Sequence, residues 1–418
     1  MGIFQKINKN LEFLNGKDED EIPKERRVQE AIMKSQERNA ETAMPRPAER
    51  KTERDMVRES LVMKDNRNET SKDDEELLKF MEESAPKICV IGAGGSGCNT
   101  INRMQEVGIY GARMIAMNTD AQHLLRIRAQ NKLLLGKKKT KGLGAGSNPE
   151  VGEAAAQESE IDVKELLGEV DLVFVTCGMG GGTGTGSAHV IAKAAKEQGA
   201  LVIGIVTMPF TSEGKKRMKN AMEGLEKLKK VADTTIAIPN DKLLFYVPDL
   251  PLNAAFKAAD MVLANAVKGI TELITKPGLV NLDFADVRTI ISDSGMAMIG
   301  LGEVSNDKSK DRILAAAEKA LTSPLLDLDV SKATKALINI TGGEDMTLGE
   351  AEGAVNLVSS RIAPEAHVIW GATVDKNLTD GEVRVLTVLA GIRHEERAQG
   401  NRSPVEVTGN EPIDVDFI

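Results

Sequence analysis

The chain has 418 residues, more than one hydrophobic core usually organises, so two folded domains with tails are expected. A formal net charge of −9 and a pI near 5.3 argue against nucleic acid as the main partner, because a phosphate backbone needs a basic face. Three cysteines without CxxC spacing and four scattered histidines exclude a disulfide framework and a zinc site, and with no secretory signal they point to a reducing cytoplasm.

No apolar run reaches the roughly 20 residues of a spanning helix, and one tryptophan with two tyrosines leaves few platforms for stacking single-stranded bases. Residues 1–85 are densely charged and thin in apolar residues, so they are expected to be mostly disordered. Within them Ile3, Phe4, Ile7, Leu11 and Leu14 share one helical face with Lys6 and Lys9 nearby. A short amphipathic helix over 2–14 that touches a membrane or a partner is one reading, and a solvated tail is the other.

Order is expected from Lys87, where an apolar strand (87–91) runs into Gly92-Ala93-Gly94-Gly95-Ser96-Gly97-Cys98-Asn99 and a helix at 100–106. Gly92, Gly94 and Gly97 satisfy GxGxxG, and Asp120 follows the next strand (113–117), which is the setting of a dinucleotide fold. A second glycine cradle downstream suits a compact triphosphate better. Residues 136–146, GKKKTKGLGAG, are basic and glycine-rich, and read either as a clamp on an outermost phosphate or as a solvated loop.

The second cradle, residues 178–187, lies between an apolar strand (171–176) and a helix (188–198). Backbone N–H groups without an intervening Cβ, at a helix N-terminus, make an anion site. After a strand at 201–207 come Glu213 and Arg217 at i, i+4 spacing, where an open parallel sheet binds its ligands. A single long helix spans 253–276, about 36 Å at ~1.5 Å per residue. On one face of it Phe256 and Asp260 suit a purine: the ring stacks, and the carboxylate accepts from guanine N1–H and N2–H2, which adenine does not offer.

Beyond the helix, Asn281, Asp283 and Asp286 form a polar cluster in an apolar segment, consistent with an N-cap and first-turn acids. Residues 288–393 alternate strands and helices as a second α/β unit, and the tail ends in an apolar and acidic peptide, 412–418, that reads as a docking motif.

Two of these stretches carry a family resemblance. Gly180-Gly181-Gly182-Thr183-Gly184-Thr185-Gly186 and Asn281-Leu282-Asp283-Phe284-Ala285-Asp286 match the signature and the catalytic loop of the tubulin/FtsZ family, which the chain resembles over about residues 86–393. No GxxxxGK[ST] motif is present, so P-loop GTPases are excluded. The resemblance, of archaeal type, implies an α/β fold: a parallel-sheet GTPase domain (86–252), a long central helix (253–276), a smaller α/β domain (277–393), an N-terminal extension (1–85) and a tail (394–418). It implies that Gly95, Ser96, Gly97, Cys98 and Asn99 hold phosphates together with Gly181, Gly182, Thr183, Gly184 and Thr185. Gly144, Ala145 and Gly146 would approach the γ-phosphate, Asn118 and Asp120 line the pocket, Glu213 and Arg217 contact the ribose, and Phe256 and Asp260 read guanine.

On the same resemblance the activity is hydrolysis of GTP to GDP, with Mg2+, completed by Asp283, Asp286 and Asn281 of an adjacent subunit in a head-to-tail filament at a mid-cell division ring. Partners implied are the chain itself and, through the C-terminal peptide, a membrane tether such as SepF or FtsA; no nucleic acid is implied. The alternatives are a scaffold filament with little hydrolysis and a dinucleotide-dependent oxidoreductase. Ser96 and Cys98 stand where the family usually has glycine, and a cysteine there suggests a thiol-sensitive site.

Overall fold

The fold is known from a computed structural model, which describes residues 85–392 and Phe80, apart from 110, 244–251, 277, 281, 306–308, 310, 327–328, 376–377 and 379–380. The expected 2–14 helix, most of the charged extension, Asn281 and the 412–418 peptide lie outside the described residues.

Strands and helices alternate through the first half: β1 (Ile88–Ala93), α1 (Gly94–Val107), β2 (Ala112–Asn118), α2 (Ala121–Arg126), β3 (Asn131–Leu134), α3 (Lys137–Thr140), α4 (Pro149–Glu158) and α5 (Glu160–Leu167). There follow β4 (Leu172–Gly178), α6 (Thr183–Glu197), β5 (Leu201–Met208), α7 (Lys215–Lys229), β6 (Thr234–Pro239) and α8 (Asn240–Leu243). The long helix α9 (Leu252–Thr275) leads to α10 (Phe284–Ile291). The last third contains β7 (Gly295–Val304), α11 (Arg312–Leu321), β8 (Lys335–Gly342), α12 (Leu348–Arg361), β9 (His367–Val374) and β10 (Val383–Ala390).

All ten strands join one sheet in the order β3-β2-β1-β4-β5-β6-β7-β10-β8-β9. The first six are parallel, whereas β10 runs antiparallel between β7 and β8, and β9 is parallel to β8. The smaller unit expected after the long helix is present, but the sheet does not break at its boundary. Thr234–Ile236 of β6 pairs in parallel with Gly295–Ala297 of β7.

A parallel sheet covered on both faces needs strands that are apolar on both sides. In β4, Leu172 and Phe174 face the core beneath α9, while Val173 and Val175 face the core beneath α6. Helix α9 lies against the first of these faces through Ala259, Val262, Leu263, Ala266, Val267, Ile270 and Leu273, whose i, i+3, i+4 spacing makes one stripe. It runs from Phe256, in contact with Phe210 just after β5, to Thr275, which abuts Gly111 just before β2. It therefore crosses the parallel sheet from its carboxyl edge to its amino edge.

Two helices begin earlier than their sequence suggests. α1 starts at Gly94 and not Thr100, and α6 at Thr183 and not Ala188. Glycine-rich sequence disfavours a helix in isolation, but here Gly94 of α1 and Gly184 and Gly186 of α6 are pressed against neighbouring backbone that a Cβ would meet.

Candidate functional site

The strand order reverses between β1 and β4, and open α/β sheets bind ligands outside the carboxyl ends of strands at such a switch point. Both glycine turns are there. Gly94 has φ +72°, and a Cβ on it would stand 2.7 Å from Gly184 N, so the two turns are in contact. By contrast, a Cβ on Gly95 or Gly181 would meet nothing within 4 Å: both open onto a cavity of about 390 Å³. The first turns of α1 and α6 thus present backbone N–H groups and two helix dipoles to the same space. The second turn is held in shape by Thr185, whose Oγ1 accepts from Gly180 N at 2.8 Å, and by a 2.6 Å hydroxyl contact between Thr183 and Thr119.

At the other end of the cavity stand Phe256 and Asp260, one turn apart on α9. Phe256 meets Phe210 edge-on, with centroids 5.4 Å apart and planes at 76°, so the aromatic wall that Phe256 gives the pocket is backed by a second ring. The Thr100 hydroxyl donates to Asp260 Oδ1 at 3.0 Å. Burial pushes the Asp260 carboxyl up to about 7, with the Thr100 hydrogen bond and the Arg103 charge pulling the other way. Glu213 and Arg217 also line the cavity, joined at 2.9 Å, and Glu213 accepts from Phe210 N at 2.8 Å.

Among the expected residues, Gly95, Ser96, Asn99, Gly181, Gly182, Thr183, Gly184, Glu213, Arg217, Phe256 and Asp260 come together around this one cavity. Others stand behind it. Asn118 is buried, with its Oδ1 accepting from Thr119 N at 2.8 Å and its amide 3.1 Å from His123 Nδ1. Asp120 caps α2 through His123 N. Gly144 N donates to Thr119 O, Ala145 packs under Gly182, and Gly146 opens onto a neighbouring cavity of about 670 Å³ that also borders Glu213 and Arg217. The lysines of 137–141 are exposed and none lines the cavity; Lys138 N and Lys139 N donate to the Glu158 carboxylate.

The expected thiol-sensitive site is corrected. Cys98 is fully buried among Ala116, Leu124 and Ile127, its Sγ lies 3.6 Å from both Gly92 O and Met117 O, and burial pushes the thiol up to about 12. Gly97 likewise packs against Thr176 O, away from the cavity. Among the lining residues with no role assigned from sequence is Asn240, 5% exposed, with its Oδ1 lacking a hydrogen-bond partner. A buried amide oxygen left open beside a cavity fits a ligand that donates there. The signal that could have found it is its place directly after β6, at the carboxyl edge of the parallel sheet.

The acidic loop is at the opposite edge of the sheet. Past the end of α9, Leu279 N donates to Ala372 O at 2.8 Å, and Asp283 is the N-cap of α10, its Oδ1 accepting from Asp286 N at 2.9 Å. Asp283 is exposed and Asp286 half-buried. Among the described residues no group of three or more His, Cys, Asp or Glu forms a metal cluster.

Residues 87–248 match the GTPase domain of the Tubulin/FtsZ family, and 295–393 match the C-terminal domain of the FtsZ family. Cell division protein FtsZ 1 of Thermococcus kodakarensis is 58% identical over 319 residues, 76% of this chain and 84% of that protein. The corresponding protein of Methanocaldococcus jannaschii is 54% identical over 328 residues, 78% of this chain and 89% of that one. A solved FtsZ dimer from M. jannaschii superposes with a TM-score of 0.73 at 54% identity, covering 78% of this chain and 93% of that chain. CetZ2 from Haloferax volcanii shares the fold at 24% identity, with a TM-score of 0.65 over 74% of this chain and 95% of that chain.

Proposed function

We infer that this chain, which belongs to the FtsZ family of tubulin-like cell-division GTPases, hydrolyses GTP only when subunits stack head to tail and the acidic loop of one meets the pocket of the next. The membership itself removes the oxidoreductase alternative. Guanine nucleotide is what the GTPase domain takes, and the residues present fit it: open glycines at one end of the cavity, an aromatic wall and a half-buried carboxylate at the other.

The observation that carries the inference is the crossing of α9. The pocket lies at the carboxyl edge of the parallel sheet and Asp283 and Asp286 beyond the amino edge. A subunit therefore does not bring its own acids to its own γ-phosphate. A heterologous contact between opposite ends does not close, and repeated it makes a filament. In it Asp283 and Asp286 orient the attacking water, with Asn281 alongside, while the turns at the starts of α1 and α6 hold the phosphates in line. Mg2+, when bound, would neutralise phosphate charge, and Asp283 and Asp286 of the arriving subunit are the carboxylates that would help hold it beside the nucleotide.

We place the filament in the cytoplasm at the division site, tethered to the membrane by a partner of the SepF or FtsA kind bound to the 412–418 peptide, with the 2–14 segment as a further contact. Among the described residues no helix is long and apolar enough to cross a membrane.

Mixing two variants tests the shared site. Asp286→Ala keeps its pocket and Asp260→Ala keeps its acids, so each alone has little turnover. A 1:1 mixture regains activity, since roughly a quarter of random contacts pair an intact pocket with intact acids. A mixture no faster than the mean of its components would contradict the inference.

A further inference from the structure

The four carbonyls at the C-terminus of a helix have no partner within it. In α10, the helix that carries Asp283 and Asp286 at its start, all four are engaged. Arg288 O accepts from Ser292 N at 2.8 Å, Ile290 O from the Ser294 hydroxyl, and Ile291 O from the Thr234 hydroxyl at 2.6 Å. Thr289 O accepts at 3.1 Å from the ammonium of Lys335, a half-buried residue that opens β8 more than 40 positions downstream. The same ammonium donates to Ser292 O at 3.0 Å and to Ser294 Oγ at 2.9 Å.

All three donors of one lysine are therefore used on the end of this short helix. A cation there also complements the helix dipole. Thr234 belongs to β6 and Ser294 to the turn before β7, so the clamp ties α10 to three different parts of the sheet. At the other end the helix has its own cap, Asp283 onto Asp286 N, and Phe284 and Leu282 pack against the core, but among the described residues no side chain from another strand hydrogen-bonds its first turn. The acids thus stand at the solvent-facing start of a short rod, packed by apolar contacts there and clamped by hydrogen bonds at its far end.

We propose that Lys335 is a positioning residue for the trans-acting acids: it sets the axial position and rotation of α10, and with them the direction in which Asp283 and Asp286 meet the neighbouring nucleotide. It touches neither nucleotide nor water itself. The assignment rests on the shared-site reading above. A displacement of about 1 Å at reacting groups is enough to cost roughly a hundredfold in rate, so loosening the fixed end acts on turnover before it acts on folding.

The experiment uses the full chain carrying Lys335→Met, Lys335→Arg or Asp286→Ala, and measures three things: GTP affinity below the assembly threshold, polymer mass by sedimentation, and turnover per polymerised subunit. Lys335→Met is expected to keep affinity and polymer mass within about twofold and to lose tenfold or more in turnover per polymerised subunit, with arginine recovering most of it. A lysine that only stabilises the fold leaves turnover per polymerised subunit unchanged. Lys335→Met within twofold of wild type, beside an inactive Asp286→Ala, overturns the assignment and leaves the shared site standing. An active Asp286→Ala overturns both. Should Lys335→Met fail to polymerise, Lys335→Cys before and after aminoethylation decides the matter. The three native cysteines are buried, so position 335 alone reacts. Recovery of turnover with the restored ammonium supports the assignment, and no recovery overturns it.

Discussion

One carboxylate oxygen of Asp283 caps α10, and on the proposed mechanism the other faces an incoming subunit. Two substitutions separate these roles. Asparagine is as good an N-cap as aspartate, so Asp283→Asn should unfold in urea like the wild type yet lose turnover, because the charge that orients water is gone. Asp283→Ala should lose turnover and also about 1 kcal/mol of stability. Equal stability of the two variants would show that the cap contributes nothing. Asp260 gives a pH dependence. Its carboxyl, pushed up to about 7 by burial, has to be ionised to accept from guanine. Nucleotide binding should therefore be level above about pH 8 and weaken as the pH falls through 7, by roughly tenfold per unit once well below it. Asp260→Asn should abolish this slope; a wild-type affinity independent of pH between 5.5 and 8 would contradict the assignment of Asp260.

Sequence showed where the elements of this fold lie better than where they begin. The strands are apolar on both faces, and the stripe on α9 has a clear helical period, so those elements were legible. The first turns of α1 and α6 were not, because local propensity penalises glycine while the reason for glycine is the approach of another segment. Gly184 shows this: a Cβ there would stand 2.9 Å from Gly178 O and 3.2 Å from Ala93 O. Gly184→Ala should therefore cost about 1–3 kcal/mol and spread the cradle, weakening nucleotide affinity in the same variant. Unchanged urea midpoint and affinity would show that the two turns yield freely. Motif matching also does not say which way a side chain points. Cys98 lies within the glycine motif but faces the core, and the lysines of 137–141 face solvent and not the phosphates. Lys335 and Asn240 act across long sequence separations, which no local pattern encodes.

Across the whole molecule, one helix sets the function. From Asp260 at the pocket to Thr275 at its far end, α9 puts about 22 Å of helix between the pocket and the acidic loop, a length no side chain bridges. On the proposed mechanism each subunit carries two half-sites, and the contact that extends a filament is the contact that completes a catalytic site. Coupling hydrolysis to assembly in this way needs no conformational signal, only geometry. The same mechanism makes the glycine turns alone an incomplete reading: they account for binding a triphosphate, while the groups proposed to act on it belong to another copy. GTP turnover per subunit as a function of total protein concentration tests this most directly. The account predicts turnover near zero at high dilution, a rise through the concentration at which polymer first sediments, and a plateau above it; turnover per subunit that stays constant on dilution below that concentration would contradict it.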